Sequence, residues 1–414
     1  MSINNIVVLI ESIDISDSSC TKCNVALIQN LHKIGYNVSV YHYTRKEMQL
    51  EGIPCFSIKE KKITVNYILS RIQRVVQRNF NINVNPFFER IFGFSFTFFN
   101  DVNSIKLQIK QIKNEKLDLI ITLSKGTSFR PHFAMLSYPE LHGVWMANIH
   151  DPYPFHFNPR PYNWVEPGYK KKETYFRNVS ESAGHSSFPS QLLKEWMGSY
   201  FPNFLKTGII IPHQIADYNT TDVQLPDYFS SEKFNLLHAG SLMPQRSPYG
   251  LIEGYLKFLK NNPEAKKISR LTLLGRAHQV EMLKDYKEKH KEIFIYADYV
   301  SFDIVYKLQK NVSANIILES KSEISPFLPG KFPHCVEANK PIISLSPYYS
   351  EVKRLLGENY PYWSEVDDID KISMIIDKLY QIWKTNPTDL VLNREDLVSY
   401  LSADYLKIEI NKLH

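Results

Sequence analysis

The chain has no apolar run approaching the roughly 18 residues that a membrane span requires, so no transmembrane helix is expected. Cysteine is scarce, with four in 414 residues. Cys20 and Cys23 form a lone C-x-x-C, but a zinc site needs a second pair of ligands, and the other parts of a thioredoxin-like redox fold are missing. The cysteines are therefore expected to be reduced bystanders. With no signal peptide in view, a reducing cytoplasm is the expected compartment. No G-x-G-x-x-G follows the first apolar strand and no P-loop occurs, which argues against a nicotinamide cofactor. Low-complexity tracts and short-period repeats are absent, which argues against a solenoid. There is no dense basic stripe of the kind that binds nucleic acid. The net charge of +6 and pI near 8.8 suit anionic small molecules or an anionic membrane face instead.

What is present is ordinary globular composition, 43% hydrophobic and 22% charged. At roughly 100–200 residues per domain, the length predicts two or three domains. The first half alternates short buried strands with helices. "NIVVLIE" (5–11), "YNVSVYHY" (36–43), "KLDLIITLS" (116–124) and "HGVWMANIH" (142–150) read as strands, and "CNVALIQNLHKIG" (23–35) as a helix closed by Gly35. Further on come a helix at "KKKETYFRNVS", a strand at "SAGHSSF", a helix at "SQLLKEWMGSYF" and a strand at "KTGIIIPHQ" (206–214). A second alternation follows, with strands at 234–241, 268–276, 293–301, 313–320 and 341–347 and helices at 247–262, 278–290, 302–311 and 371–385. Strand–helix–strand repeats with short connections predict parallel, doubly wound sheets. The expected class is α/β with two Rossmann-like domains facing across a cleft, covering 1–216 and 234–388. A polar linker at 217–233 joins them, and a helical segment at 389–414 follows the second domain.

Two segments interrupt the pattern. Residues 59–99 are rich in Arg, Lys and Phe. They read either as an inserted helical hairpin with its phenylalanines packed inward, or as a basic, aromatic face for a membrane or a lipid-linked acceptor. Residues 151–170 form a long loop of Pro, Tyr and Asn, and such loops tend to be functional.

Doubly wound sheets bind ligands beyond the carboxyl ends of their strands, where helix N-termini favour phosphate. In "HAGSLMPQRSPYG", a strand ends at Ala239, Gly240 and Ser241 make the turn, and Arg246 precedes a helix with Ser247 as its expected N-cap. An arginine there can clamp a diphosphate, or it can be an ordinary surface residue at a capped helix. In "SPFLPGKFPHCVEANKPII", Pro329 and Gly330 precede Lys331 at the first turn of a helix. A cation there opposes the helix dipole unless it meets an anion. Arg246 and Lys331 together can neutralise one diphosphate.

These two stretches resemble the C-terminal half of a GT-B glycosyltransferase, of the kind grouped around glycosyltransferase family 4. The resemblance covers residues 234–385 well and residues 1–216 only by architecture. It implies donor contacts from Gly240, Ser241, Arg246, Gly275, Arg276, Pro329, Gly330 and Lys331, with Tyr299 and Val300 beside the nucleobase, and a final helix at 389–414 that returns to the first domain. The family's paired glutamates are missing, because their positions fall on Pro326 and His334. His334, or Glu337 one turn on, would then meet the ribose. The resemblance implies a nucleotide-sugar as substrate rather than a cofactor, no metal, and catalysis by cationic side chains. It also implies a glycan or lipid-linked acceptor.

In the first half, "ANIHDPYPFH" ends a buried strand with His150 and Asp151. The resemblance gives His150 a catalytic role at the donor sugar or leaving phosphate, with Asp151 orienting it or starting a turn. The loop 11–19, with Asp14, Asp17 and serines, either meets acceptor hydroxyls or caps the next helix, and Lys125 is a further candidate on the acceptor side. In "DDID" (367–370), Asp370 reads as an N-cap rather than a metal ligand. The function expected is transfer of a sugar to a cell-surface glycan, retaining and metal-independent. Should it invert, His150 or Asp17 would be the base. The alternatives are a sugar-nucleotide epimerase and a non-catalytic partner subunit of the same fold.

Overall fold

The structure, a computed structural model, describes residues 3–113, 117–216, 218, 222–278 and 280–413. The chain forms two compact units, one of Met1–Asn158, Tyr162–Ala216 and Leu401–His414, the other of Pro159–Pro161 and Asp217–Tyr400. Residues 217 and 219–221 of the expected linker, residue 116 of an expected strand and residue 279 of an expected helix lie outside the described residues.

The first unit holds seven strands: β1 (Asn5–Ile10), β2 (Asn37–His42), β3 (Cys55–Ser57), β4 (Leu119–Leu123), β5 (Trp145–Asn148), β6 (His185–Phe188) and β7 (Gly208–Ile210). They lie in the order β3-β2-β1-β4-β5-β6-β7, and every described pairing is parallel. β1 shows why its sequence is apolar throughout. Val7 and Leu9 enter one core with the helix Phe96–Ile112, while Ile6, Val8 and Ile10 enter another with the helix Ser19–Lys33. A strand covered on both faces has no polar side to show. Leu406 and Ile410, from the helix Ala403–Asn411, complete the second of these cores.

The second unit holds β8 (Phe234–Ala239), β9 (Ser269–Leu274), β10 (Ile293–Tyr296), β11 (Ala314–Leu318), β12 (Ile324–Ser325), β13 (Ile342–Leu345), β14 (Tyr349–Ser350) and β15 (Trp363–Ser364). Six form a parallel sheet in the order β10-β9-β8-β11-β13-β15, and β12 and β14 pair separately. The helix Tyr249–Asn261 packs against Ile369–Thr385. That approach is close because Gly254 meets Ile372 and Gly250 meets the Val366 carbonyl.

Several local expectations need correction. The strand expected at 206–214 is only Gly208–Ile210, because the short helix Asn203–Thr207 precedes it. The segment 389–414 is two helices, Glu395–Tyr400 and Ala403–Asn411. The helix Ile369–Thr385 is capped by Asp368, which accepts from the Lys371 amide, whereas Asp370 pairs with Lys257. Ser18, a serine of the loop 11–19, caps the helix Ser19–Lys33, which is one of the two roles expected of that loop. In 59–99 the phenylalanines divide. Phe94 and Phe98 stack in the core at 4.1 Å, while Phe80, Phe87 and Phe92 are exposed.

Gly275 locks the turn after β9 onto the turn after β8. A Cβ there would lie 2.6 Å from the Gly240 carbonyl oxygen, and its φ of +130° disfavours any side chain. Gly275→Ala is therefore expected to cost about 1–3 kcal/mol. Thermal denaturation should show a clearly lower midpoint, and an unchanged midpoint would show that the two turns are not interlocked.

Candidate functional site

In each sheet the strand order reverses at one place, and there the loops beyond the carboxyl ends diverge and leave room for a ligand. In the second unit this place lies between β8 and β11. β8 delivers His238, followed by Gly240, and β11 is followed by Glu319. Arg246 comes from the loop before the helix Tyr249–Asn261, and Lys331 stands at the N-cap of the helix Phe332–Glu337.

Sequence reasoning paired Arg246 with Lys331, and the structure brings them into mutual electrostatic contact. Burial, reinforced by the positive charge of Arg246, lowers the Lys331 amine to about 7, although Cys335 and Glu319 pull it back. Its Nζ lies 3.4 Å from His238 Nδ1, which in turn lies 3.2 Å from the Ile316 carbonyl. Burial and then Lys331 and Arg246 push His238 well below its ordinary range, so the ring is neutral. A Cβ at Gly240 would meet Lys331 Nζ at 2.9 Å, so only glycine leaves the amine its place. Arg246 Nε is buried with no hydrogen-bond partner among the described residues.

Glu319 completes this cluster, with burial raising its carboxyl to about 7. Ser350 donates to Oε1 at 2.7 Å, while Oε2 is buried without a partner among the described residues. Glu319 and His238 were not singled out from sequence. Each is a polar residue closing an apolar strand, which is the signal that marks them. Two like charges crowded together, with a neighbouring acid near half-protonation, form a site short of negative charge. The helix behind Lys331 has six residues, so the cations rather than its dipole dominate.

The other donor-side candidates surround this cluster unevenly. Ser241, Arg276 and Tyr299 are exposed, and the Arg276 carbonyl accepts from the Leu242 amide at 2.9 Å. Val300 packs against Leu237 and Leu274. The Pro329 carbonyl accepts from the Phe332 amide at 2.8 Å, and Gly330 is half-buried between them in sequence. His334 is buried among the rings of Tyr218, Phe302 and Tyr306. Glu337 Oε1 accepts from Tyr306 at 2.5 Å and pairs with Lys310 at 3.1 Å, while its Oε2 is buried without a hydrogen-bond partner among the described residues.

In the first unit the order reverses between β1 and β4. Lys125 and Asp17 meet there at 3.0 Å, and Asp17 also accepts from Ser12 at 2.5 Å. Asp14 accepts from Ser16 and pairs with Lys46 at 3.0 Å, contacts that hold its carboxyl at about 2. Glu11, the residue after β1, was not selected from sequence. It is buried and accepts from Ser128, from the Arg130 amide at 3.1 Å and from the Arg130 guanidinium at 3.1 Å. Arg130 also pairs with Asp101 at 3.0 Å. Phe129 directs Arg130 inward from a left-handed backbone (φ +48°) while itself fully buried, a conformation that costs a bulky residue about 1–3 kcal/mol.

His150 is buried after β5, stacks on Phe129 at 5.7 Å and lies 3.4 Å from Asp151. Burial opposes its charge, but Cys20, Asp151 and Glu11 outweigh it and raise the imidazole to about 9. An imidazolium at neutral pH suits a developing anion rather than the base considered for an inverting reaction. Cys20 is thus drawn into the site's electrostatics. Its partner in the C-x-x-C motif, Cys23, has its thiol pushed by burial to about 12, and all four cysteines are free.

No protein-family model matches the sequence, and no curated protein matches it. Solved structures do. A glycosyltransferase from Rickettsia africae ESF-5 superposes with a TM-score of 0.63 at 13% identity, covering 100% of this chain and 99% of that one. Sucrose-phosphate synthase from Thermosynechococcus elongatus gives 0.62 at 10% identity, covering 99% and 98%. An E. coli trehalose-6-phosphate protein bound with UDP-2-fluoro glucose gives 0.55 at 10% identity, covering 99% and 97%. The fold is that of the GT-B glycosyltransferases. At these identities the likeness extends to the GT-B fold alone.

The lowered amine of Lys331 fixes a sign. Between about 7 and its unfolded value near 10.5, the unfolded chain holds a proton that the folded chain has released, so this group's destabilising contribution is full below 7 and fades as pH rises through that window. A bound diphosphate reverses the shift. Calorimetry of UDP or GDP at pH 8 in two buffers of different ionisation enthalpy should therefore show proton uptake on binding, and Lys331→Met should abolish it.

Proposed function

We propose that the protein is a glycosyltransferase that moves a sugar from a nucleotide-sugar to a glycan or lipid-linked acceptor in cell-surface polysaccharide synthesis. The observation that carries this reading is the Arg246–Lys331 pair at the carboxyl ends of β8 and β11, two crowded cations with one lowered to about 7. In the transferase reading, the donor's diphosphate lies against both. As the glycosidic bond to phosphate breaks, negative charge grows on the leaving oxygens, and a preorganised cation pair stabilises that change more than it stabilises the ground state. Gly240 leaves space for the phosphate and the amine together.

The proposed reaction is retaining and metal-independent. The cation pair does the electrostatic work a divalent ion would otherwise do, and no protein nucleophile is needed if the leaving phosphate deprotonates the acceptor. His150, charged at neutral pH, would face the donor sugar or leaving phosphate with Asp151 holding its orientation. Lys125, Asp14 and Asp17 would line the acceptor side. The neighbour bound with UDP-2-fluoro glucose supports a uridine nucleotide-sugar as the first donor to try.

One observation favours a second reading. Glu319, raised to about 7 beside the cation pair, is a carboxyl that can both give and take a proton near neutrality, as a sugar-nucleotide epimerase requires. The two readings separate cleanly, since an epimerase converts a UDP-sugar without acceptor and a transferase releases UDP in proportion to acceptor.

Lys331→Ala and Arg246→Ala are each expected to lower turnover about 10²–10³-fold, the usual cost of removing one preorganised donor at a developing anion. Coupled detection of released nucleoside diphosphate, with circular dichroism to confirm folding, measures this. Unchanged turnover in both variants would remove the cation pair from the mechanism.

A further inference from the structure

The helix Val65–Phe80 leaves much of its apolar surface outside. Its fully buried side chains are polar, Ser70 and Gln73, with Leu69 and Val76 half-buried, while Ile68, Ile72 and Val75 are 56%, 53% and 49% exposed. These three follow helical spacing, and exposed Val65 extends the same stripe, while Phe80 is exposed at the end of the helix, off the stripe. The placement is held by specific contacts. Thr64 caps the helix through the Tyr67 amide and donates to Asn100 at 2.6 Å, and Gln73 donates to Asn85. The polar edge therefore packs against the helix Phe96–Ile112 and the apolar stripe is left outside. The next helix, Asn85–Phe92, adds exposed Phe87, Ile91 and Phe92.

The charge beside this stripe indicates what covers it. Residues 59–99 carry seven basic residues (Lys59, Lys61, Lys62, Arg71, Arg74, Arg78 and Arg90) against two acidic ones, Glu60 and Glu89. On the helix, Arg71, Arg74 and Arg78 form a row along one flank of the apolar stripe. Arg71 pairs with Glu60 at 3.5 Å, while Arg74 and Arg78 are exposed and, among the described residues, pair with no carboxylate. An apolar stripe alone would suit a second copy of the chain. A two-fold dimer with these helices antiparallel would bring the arginine rows towards one another, and a parallel one would leave them without counter-charge, whereas an anionic surface would neutralise them.

We propose that the helix Val65–Phe80 lies in the surface of an anionic lipid bilayer, with Ile68, Ile72 and Val75 among the acyl chains and Arg74 and Arg78 on the headgroups. This holds whether or not Lys331 and Arg246 take a diphosphate, since it concerns other residues.

Co-sedimentation of the full chain with phosphatidylcholine vesicles, with and without phosphatidylglycerol, tests it. Binding is expected to the phosphatidylglycerol vesicles and to weaken in high salt. Arg74→Ala with Arg78→Ala should weaken it roughly thirtyfold, at about a fivefold loss per basic residue near the surface. Ile68→Glu with Ile72→Glu should abolish it. All four side chains are exposed, so thermal midpoints and nucleotide-induced thermal shifts should stay unchanged in both variants. Equal binding to neutral vesicles, binding indifferent to both double variants, or a dimer in light scattering that Ile68→Glu with Ile72→Glu dissolves would each overturn the proposal. The last outcome would assign the face to a second copy.

Discussion

Two basic side chains that repel one another, with a single buried and partly protonated carboxyl beside them, set the terms for the second unit's functional end. Everything around Arg246 and Lys331 accommodates that repulsion. His238 stays neutral, Glu319 sits near half-protonation, and the Lys331 amine gives up its proton more readily than a free lysine. Such an arrangement disfavours the unliganded state and favours any state in which a polyanion enters. It is a local conflict of the kind expected at functional sites rather than in a structural core.

The support for that conflict is the parallel sheet beneath it. β8 and β11 are adjacent, and their carboxyl ends place His238 and Glu319 on neighbouring strands. The glycine contact between the turns after β8 and β9 fixes the floor from which Lys331 is approached. The first unit repeats the logic with other chemistry. There, buried Glu11 and Asp101 bracket Arg130, and a strained Phe129 links that ion network to the charged His150. Beyond the first sheet Arg130 is paired with carboxylates, while beyond the second Arg246 and Lys331 repel one another.

The double alternation of strands and helices was legible in the sequence because buried parallel strands read as short apolar runs. Lys331 and Arg246 were legible because each stands near a glycine-containing turn that follows such a run. Glu319, His238 and Glu11 were quoted within those runs and passed over. Their importance depends on which strands lie side by side, and strand order is a non-local property. The helix Phe96–Ile112 was missed because buried Asn100, Asp101 and Ser104 interrupt its apolar stripe. Without that helix, the outward turn of Ile68, Ile72 and Val75 could not be foreseen, since its polar partner decides which face is covered. The cap of the helix Ile369–Thr385 was placed two residues late, at Asp370 instead of Asp368, a distance over which side-chain competition for amides outweighs propensity.

The helix Ala403–Asn411 supplies Leu406 and Ile410 to the core beneath β1, although nearly two hundred residues of the other unit come between. During synthesis, the helix Ser19–Lys33 can cover this face of β1 early, but the core gains its last two apolar side chains only when a much later stretch emerges from the ribosome. Removing that stretch would therefore open a layer made near the other end of the chain.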